Sequence, residues 1–168
     1  MDYAYYYERM NTEAVGRYDV TPLFADGDVF ANLVSDLLDP FADDYTRVVG
    51  IEALGFVLGG AAACEAGVGF VPVRKGGKLP LRDDEMLRCE VTDYSGEGKT
   101  LELAAGALDG GDRVLVVDDW VETGAQMRAA CDLVESADGE IAGISVLRAH
   151  RDERTRDLFE RYDVYSLG

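Results

Sequence analysis

Short apolar runs alternate along this chain with stretches whose apolar residues recur at helical spacing. Residues 28–38, Asp-Val-Phe-Ala-Asn-Leu-Val-Ser-Asp-Leu-Leu, show the helical period. They predict an amphipathic helix, capped by Asp26 or Asp28 and stopped by Pro40. Arg-Val-Val-Gly-Ile at 47–51 reads as a buried strand, and the Gly- and Ala-rich residues 55–66 as a helix packed close to the sheet. Further strands are expected at 68–73, 113–117 and 140–147, with a helix at 124–136 between the last two. A charged helix or turn at 154–161 and a final strand within 162–167 complete the series. Strands alternating with helices imply an α/β fold whose central sheet is mostly parallel and flanked by helices. Such sheets bind ligands outside the carboxyl ends of their strands, so the loops after residues 51, 73 and 117 are expected to meet at one site.

Length and composition narrow this picture. The chain has 168 residues, and 48% of them are apolar, enough for one domain with a single core. No apolar run reaches membrane-spanning length and no secretory pattern opens the sequence, so a cytoplasmic protein is expected. Cys64, Cys89 and Cys131 are far apart and read as structural thiols, and His150 is the only histidine. A metal site built from protein ligands alone is therefore not expected. The formal net charge of −17 disfavours nucleic acid and anionic membranes as partners. It also suggests adaptation to a salty, halophilic cytoplasm, where counterions screen the self-repulsion. On that reading the melting temperature rises between low and molar KCl; a flat thermal titration would remove it.

Chemistry concentrates after the strand at 113–117. There Val114-Leu115-Val116-Val117 runs into Asp118-Asp119-Trp120-Val121-Glu122-Thr123-Gly124-Ala125-Gln126-Met127. Two adjacent carboxylates at a strand end suit the paired hydroxyls of a ribose. A glycine-containing turn that opens a helix presents N–H groups to a phosphate, and Thr123 adds a hydroxyl. A second cluster, Arg74, Lys75 and Lys78, follows the strand at 68–73 in a chain that has only three lysines, the third being Lys99.

The 14-residue pattern at 114–127 resembles the phosphoribosyl pyrophosphate (PRPP) motif of type I phosphoribosyltransferases, and of the adenine phosphoribosyltransferase branch in particular. The likeness extends to Asp19-Val20-Thr21-Pro22-Leu23, to Val49-Gly50-Ile51-Glu52-Ala53-Leu54-Gly55-Phe56, to residues 68–80 and to Tyr165-Ser166-Leu167. It implies the type I phosphoribosyltransferase fold with a small hood, as one domain over 1–168. Arm and hood elements would lie at about 1–27, and a flexible catalytic loop at about 81–100. It implies transfer of ribose 5-phosphate from PRPP to a free purine, adenine foremost, in purine salvage, with Mg²⁺ held through substrate and water and a homodimer as the assembly.

By the same resemblance Asp118 and Asp119 bind the ribose, and Glu122, Thr123, Gly124, Ala125 and Gln126 surround the 5-phosphate. Glu52, Ala53, Leu54, Arg74, Lys75 and Lys78 meet pyrophosphate, and Phe24, Val121 and Tyr18 wall the base. The chain departs from the branch at several of these positions. Ala53-Leu54-Gly55-Phe56 stands for Ser-Arg-Gly-Phe, and Glu122-Thr123-Gly124-Ala125-Gln126 for Ala-Thr-Gly-Gly-Thr. Glu122 matches an acidic position that faces N7 in hypoxanthine–guanine enzymes. Two alternatives thus stay open: a 6-oxopurine enzyme using Glu122, and a non-catalytic module that binds PRPP or a nucleotide.

Overall fold

The structure, a computed structural model, describes residues 1–13, 18–41, 44–92 and 98–168. Among the described residues, seven strands form one sheet in the order β3-β4-β2-β1-β5-β6-β7. The strands are β1 (Arg47–Ile51), β2 (Gly69–Lys75), β3 (Met86–Thr92), β4 (Gly98–Ala104), β5 (Arg113–Val121), β6 (Glu140–Ala149) and β7 (Val164–Ser166). The helices are α1 (Tyr3–Tyr7), α2 (Thr21–Ala25), α3 (Gly27–Leu38), α4 (Leu54–Ala66), α5 (Ala125–Ser136) and α6 (Arg156–Arg161). From β2 through β7 every pairing is parallel, as expected of βα units. β3 and β4 pair antiparallel and join the end of β2 through Arg74–Glu102 and Lys75–Leu101.

The central strands read as unbroken apolar runs because both of their faces are covered. In β5, Val114 and Val116 point into a cluster with Met127, Ala130 and Val134 of α5. Leu115 and Val117 point the other way, into a cluster with Leu33 and Leu37 of α3 and Leu58 and Ala62 of α4. Asp26 caps α3, its Oδ1 accepting from the N–H groups of Asp28 and Val29, each at 3.1 Å. Close approach of α4 to the sheet depends on Gly50, where an added Cβ would stand 2.2 Å from the carbonyl oxygen of Gly55.

Two of the expected segments contain regular structure of their own. Residues 81–100 contain most of an antiparallel pair rather than a loop alone. Alternation of Leu87, Cys89 and Val91 with Arg88 and Glu90 has the period of a half-buried strand. Residues 93–97 of the expected catalytic loop and 14–17 of the expected arm lie outside the described residues. The N-terminal arm contains two short helices. Tyr6 of α1 is buried, and α2 opens with Pro22 at its first turn and buries Leu23. Among the described residues, no helix is long and apolar enough to cross a membrane.

Candidate active site

A cavity of about 350 Å³ opens at the carboxyl ends of β1, β2 and β5. Glu52 and Ala53 line it from the turn between β1 and α4, Leu54 from the start of α4, Lys75 from the end of β2, and Asp118 to Met127 from the end of β5 into α5. The three loops that element order places together thus share one cavity. The hairpin adds Val91 and Lys99.

Asp118 and Asp119 lie in the last part of β5, where the sheet still holds the backbone: Asp118 is in register with Val146 of β6. Asp118 Oδ1 accepts the N–H of Asp119 at 2.9 Å. It also abuts Gly55, where a Cβ would stand 2.9 Å from that oxygen. A glycine at the start of α4 therefore leaves room for the first carboxylate.

The turn that follows is shaped by Gly124, whose φ of +76° is left-handed and favours glycine. Arg128, one turn into α5, braces it. Its Nη2 donates to the Thr123 carbonyl at 2.8 Å, while Nη1 donates to Asp157 Oδ1 at 2.8 Å and to the Arg154 carbonyl at 3.0 Å. With the Thr123 carbonyl tied to Arg128, the turn and the start of α5 offer N–H groups and a helix-dipole end to an anion. Thr123 Oγ1 accepts the Ala125 N–H at 3.4 Å. Glu122 stands at the cavity edge, and its charge reaches Arg154, whose guanidinium is held charged first by Asp152.

The cationic turn meets Glu52. Lys78 Nζ donates to Glu52 Oε1. Arg74 Nε and the Lys75 N–H reach Oε2 at 3.4 and 3.1 Å, and Arg74 Nη1 donates to the Lys78 carbonyl at 3.1 Å. Burial opposes ionisation of Glu52, but Lys78, the Lys75 N–H and Arg74 outweigh it and hold the carboxyl below its ordinary range. Lys75 lines the cavity, whereas Arg74 and Lys78 do not line it and pair instead with Glu52, which does.

The base-wall residues separate. Val121 lines the cavity. Tyr18 does not, but packs edge-on against Trp120, which does, with ring centroids 5.7 Å apart. Phe24 does not line it either: its ring packs on Phe30 at 5.4 Å, beside the cluster under α3. Three features escaped the sequence reading. Lys99 enters from β4, Arg128 braces the phosphate turn, and Trp120 is the hub of an aromatic group. Arg148 lies over the Trp120 ring at 5.2 Å and donates to Tyr3 Oη at 2.8 Å, which docks the N-terminal arm at the rim. Lys99 alone left a signal, as the third lysine of an acidic chain whose other two were already candidates.

Among the described residues no group of three His, Cys, Asp or Glu side chains forms a metal cage. The cavity offers instead carboxylates around an open volume. That donor set fits a hard cation such as Mg²⁺, which keeps several waters and binds largely through phosphate oxygens.

The phosphoribosyl transferase domain family matches residues 27–167. The adenine phosphoribosyltransferase of Dinoroseobacter shibae is 44% identical over 148 residues, covering 87% of this chain and 80% of the relative. The crystal structure of adenine phosphoribosyltransferase from Thermoanaerobacter pseudethanolicus superposes with a TM-score of 0.87 at 31% identity, over 98% of each chain. That of the Saccharomyces cerevisiae enzyme, complexed with an imino-altritol bisphosphate and adenine, gives 0.82 at 26% identity, over 99% of this chain and 98% of that one. By a match over most of its length, in sequence and in fold, the chain belongs to the phosphoribosyltransferase family, in its adenine phosphoribosyltransferase-like branch.

Proposed function

We propose that the chain makes a purine nucleotide from free adenine and PRPP, releasing pyrophosphate. The observation that carries this is the single cavity in which the acid pair, the phosphate turn and a lysine meet, in a chain whose relatives are adenine phosphoribosyltransferases. The bond between ribose C1 and pyrophosphate breaks, a purine ring nitrogen bonds to C1, and the proton of that ring system is lost.

Each residue has a task in this step. Asp118 and Asp119 accept hydrogen bonds from the two ribose hydroxyls and stand near the sugar as it becomes cation-like. The N–H groups of 123–126 hold the 5-phosphate, with Arg128 behind the turn. Lys75, with Arg74 and Lys78 once pyrophosphate competes for them with Glu52, balances charge on the leaving group. All three lysines of the chain lie at or beside the cavity, among the carboxylates Glu52, Asp118, Asp119 and Glu122 that also line it, and are the local partners a polyphosphate can take. Mg²⁺, when bound through substrate oxygens and water, supplies further neutralisation of the pyrophosphate.

Glu122 favours one second reading. A carboxylate at the cavity edge can take or share the proton of a purine N7, the contact a 6-oxopurine enzyme uses. A panel of adenine, hypoxanthine and guanine with PRPP and Mg²⁺ separates the two. Adenine turnover with pyrophosphate release is expected. Turnover of hypoxanthine or guanine without adenine would overturn the base assignment, and binding without any turnover would favour a regulatory module. Glu122→Ala is expected to lower kcat for the base about 10²-fold, at the low end of acid–base contributions. KM for PRPP should hold within about two-fold, since uniform sugar-phosphate binding is retained. Unchanged base profiles would reduce Glu122 to a charge at the start of a helix.

A further inference from the structure

We propose that Glu102, a buried carboxylate in the hairpin, is a positioning residue that holds the cationic turn 74–78 in place for pyrophosphate. The inference rests on the reading of that turn given above, and concerns a residue outside the cavity. Glu102 sits in β4 between Leu101 and Leu103 and is only 2% exposed. A charge at such a place is costly unless its partners are strong, and an apolar side chain would pack a sheet face at no such cost.

Its partners are directed at the turn. Oε2 accepts the Gly77 N–H at 3.0 Å, and Oε1 accepts Arg88 Nε at 3.1 Å across the hairpin. The Leu79 backbone also favours the charged carboxylate. Beyond Gly76, whose N–H reaches the Thr100 carbonyl at 2.8 Å, Gly77 leaves the β2–β4 ladder with φ +77°. There Glu102 takes the place of a strand carbonyl as acceptor. The segment it grips lies between Lys75, which lines the cavity, and Lys78, which meets Glu52. A hollow of about 450 Å³, bordered by Gly76, Gly77, Arg88, Thr100 and Glu102 itself, lies against the same turn. Close packing therefore does not hold the turn on that side. The Gly77 N–H leads the interactions that keep the carboxyl ionised against its burial, with Arg88 and Leu79 adding to it.

Glu102→Gln tests this, because the amide keeps the shape but must turn an NH₂ toward either Gly77 N–H or Arg88, donor against donor. The affinities of wild type and variant for pyrophosphate with Mg²⁺ and, separately, for AMP are compared by calorimetry. Pyrophosphate affinity should fall about ten-fold, the scale of one charge-assisted hydrogen bond, with KM for PRPP rising in parallel. AMP affinity and KM for adenine should stay within about two-fold, because neither ligand reaches the turn. Unchanged pyrophosphate affinity, or equal losses for pyrophosphate and AMP, would overturn the proposal. If the glutamine variant does not fold, Glu102→Asp keeps the charge but falls one methylene short of Gly77, and the same split is expected. Equal behaviour of that variant and wild type would overturn the proposal too. Wild-type protein binding neither ligand would instead remove the functional reading beneath it.

Discussion

Joint replacement of Asp118 and Asp119 by asparagine is expected to lower kcat/KM for PRPP by about 10³-fold, from the loss of charged acceptors for two ribose hydroxyls. The substitution keeps side-chain shape, so the effect separates charge from packing. Asparagine Oδ1 can still accept the Asp119 N–H, now made at 2.9 Å, and the bend at the end of β5 is retained. Two fewer negative charges in a chain of net charge −17 also relieve repulsion. Stability to thermal or denaturant unfolding is therefore expected to hold within about 0.5 kcal/mol. Equilibrium titration with PRPP beside a melting curve reads both quantities. A double variant that binds PRPP like the parent would remove the acids from the site.

Gly50→Ala carries the largest expected stability effect. Its new Cβ would stand 2.2 Å from the carbonyl oxygen of Gly55 and 2.9 Å from the ring of Phe70. The first obstacle is backbone at the start of α4 and cannot swing aside as a side-chain tip can. Either α4 lifts from the sheet or β1 bends, and each choice also shifts the Glu52–Leu54 edge of the cavity. A loss of about 3 kcal/mol is expected, at the upper end of ordinary overpacking costs. For a domain of this size that corresponds to a fall in Tm of roughly 10 °C. Gly60→Ala in the same helix is the control, since an added Cβ there meets nothing within 4 Å. It should match the parent or gain about 0.5–1 kcal/mol from helix propensity. Equal losses for both variants would refute the close-approach account of α4.

These two tests also mark what the sequence made legible. β1, β5, α4 and α5 were readable because their apolar residues are contiguous or helically spaced, and because the Gly and Ala residues of 55–66 permit close packing. The acid pair and phosphate turn were readable because one short stretch of chain carries both. The hairpin strands were hidden by the reading of 81–100 as a loop, although the alternation at 87–91 was available. Helices α1 and α2 are five residues each, too short for a period to show. The packing of Phe24 was not legible, because a sequence shows an aromatic residue but not its neighbour; here the neighbour is Phe30. Lys99, Arg128 and the Trp120–Arg148–Tyr3 group reach the cavity or its walls through tertiary approach, across as many as 145 positions for the bond between Arg148 and Tyr3. Glu102 looked like one more surface acid in a chain with 33 Asp and Glu residues, and only burial sets it apart.

A crystal structure with AMP bound tests the central claim most directly. The account predicts both ribose hydroxyls within hydrogen-bond reach of Asp118 and Asp119, the phosphate on the N–H groups of 123–126, and the purine toward Val121 and Glu122. AMP lodged elsewhere, or seated with its ribose turned from the two carboxylates, would contradict it.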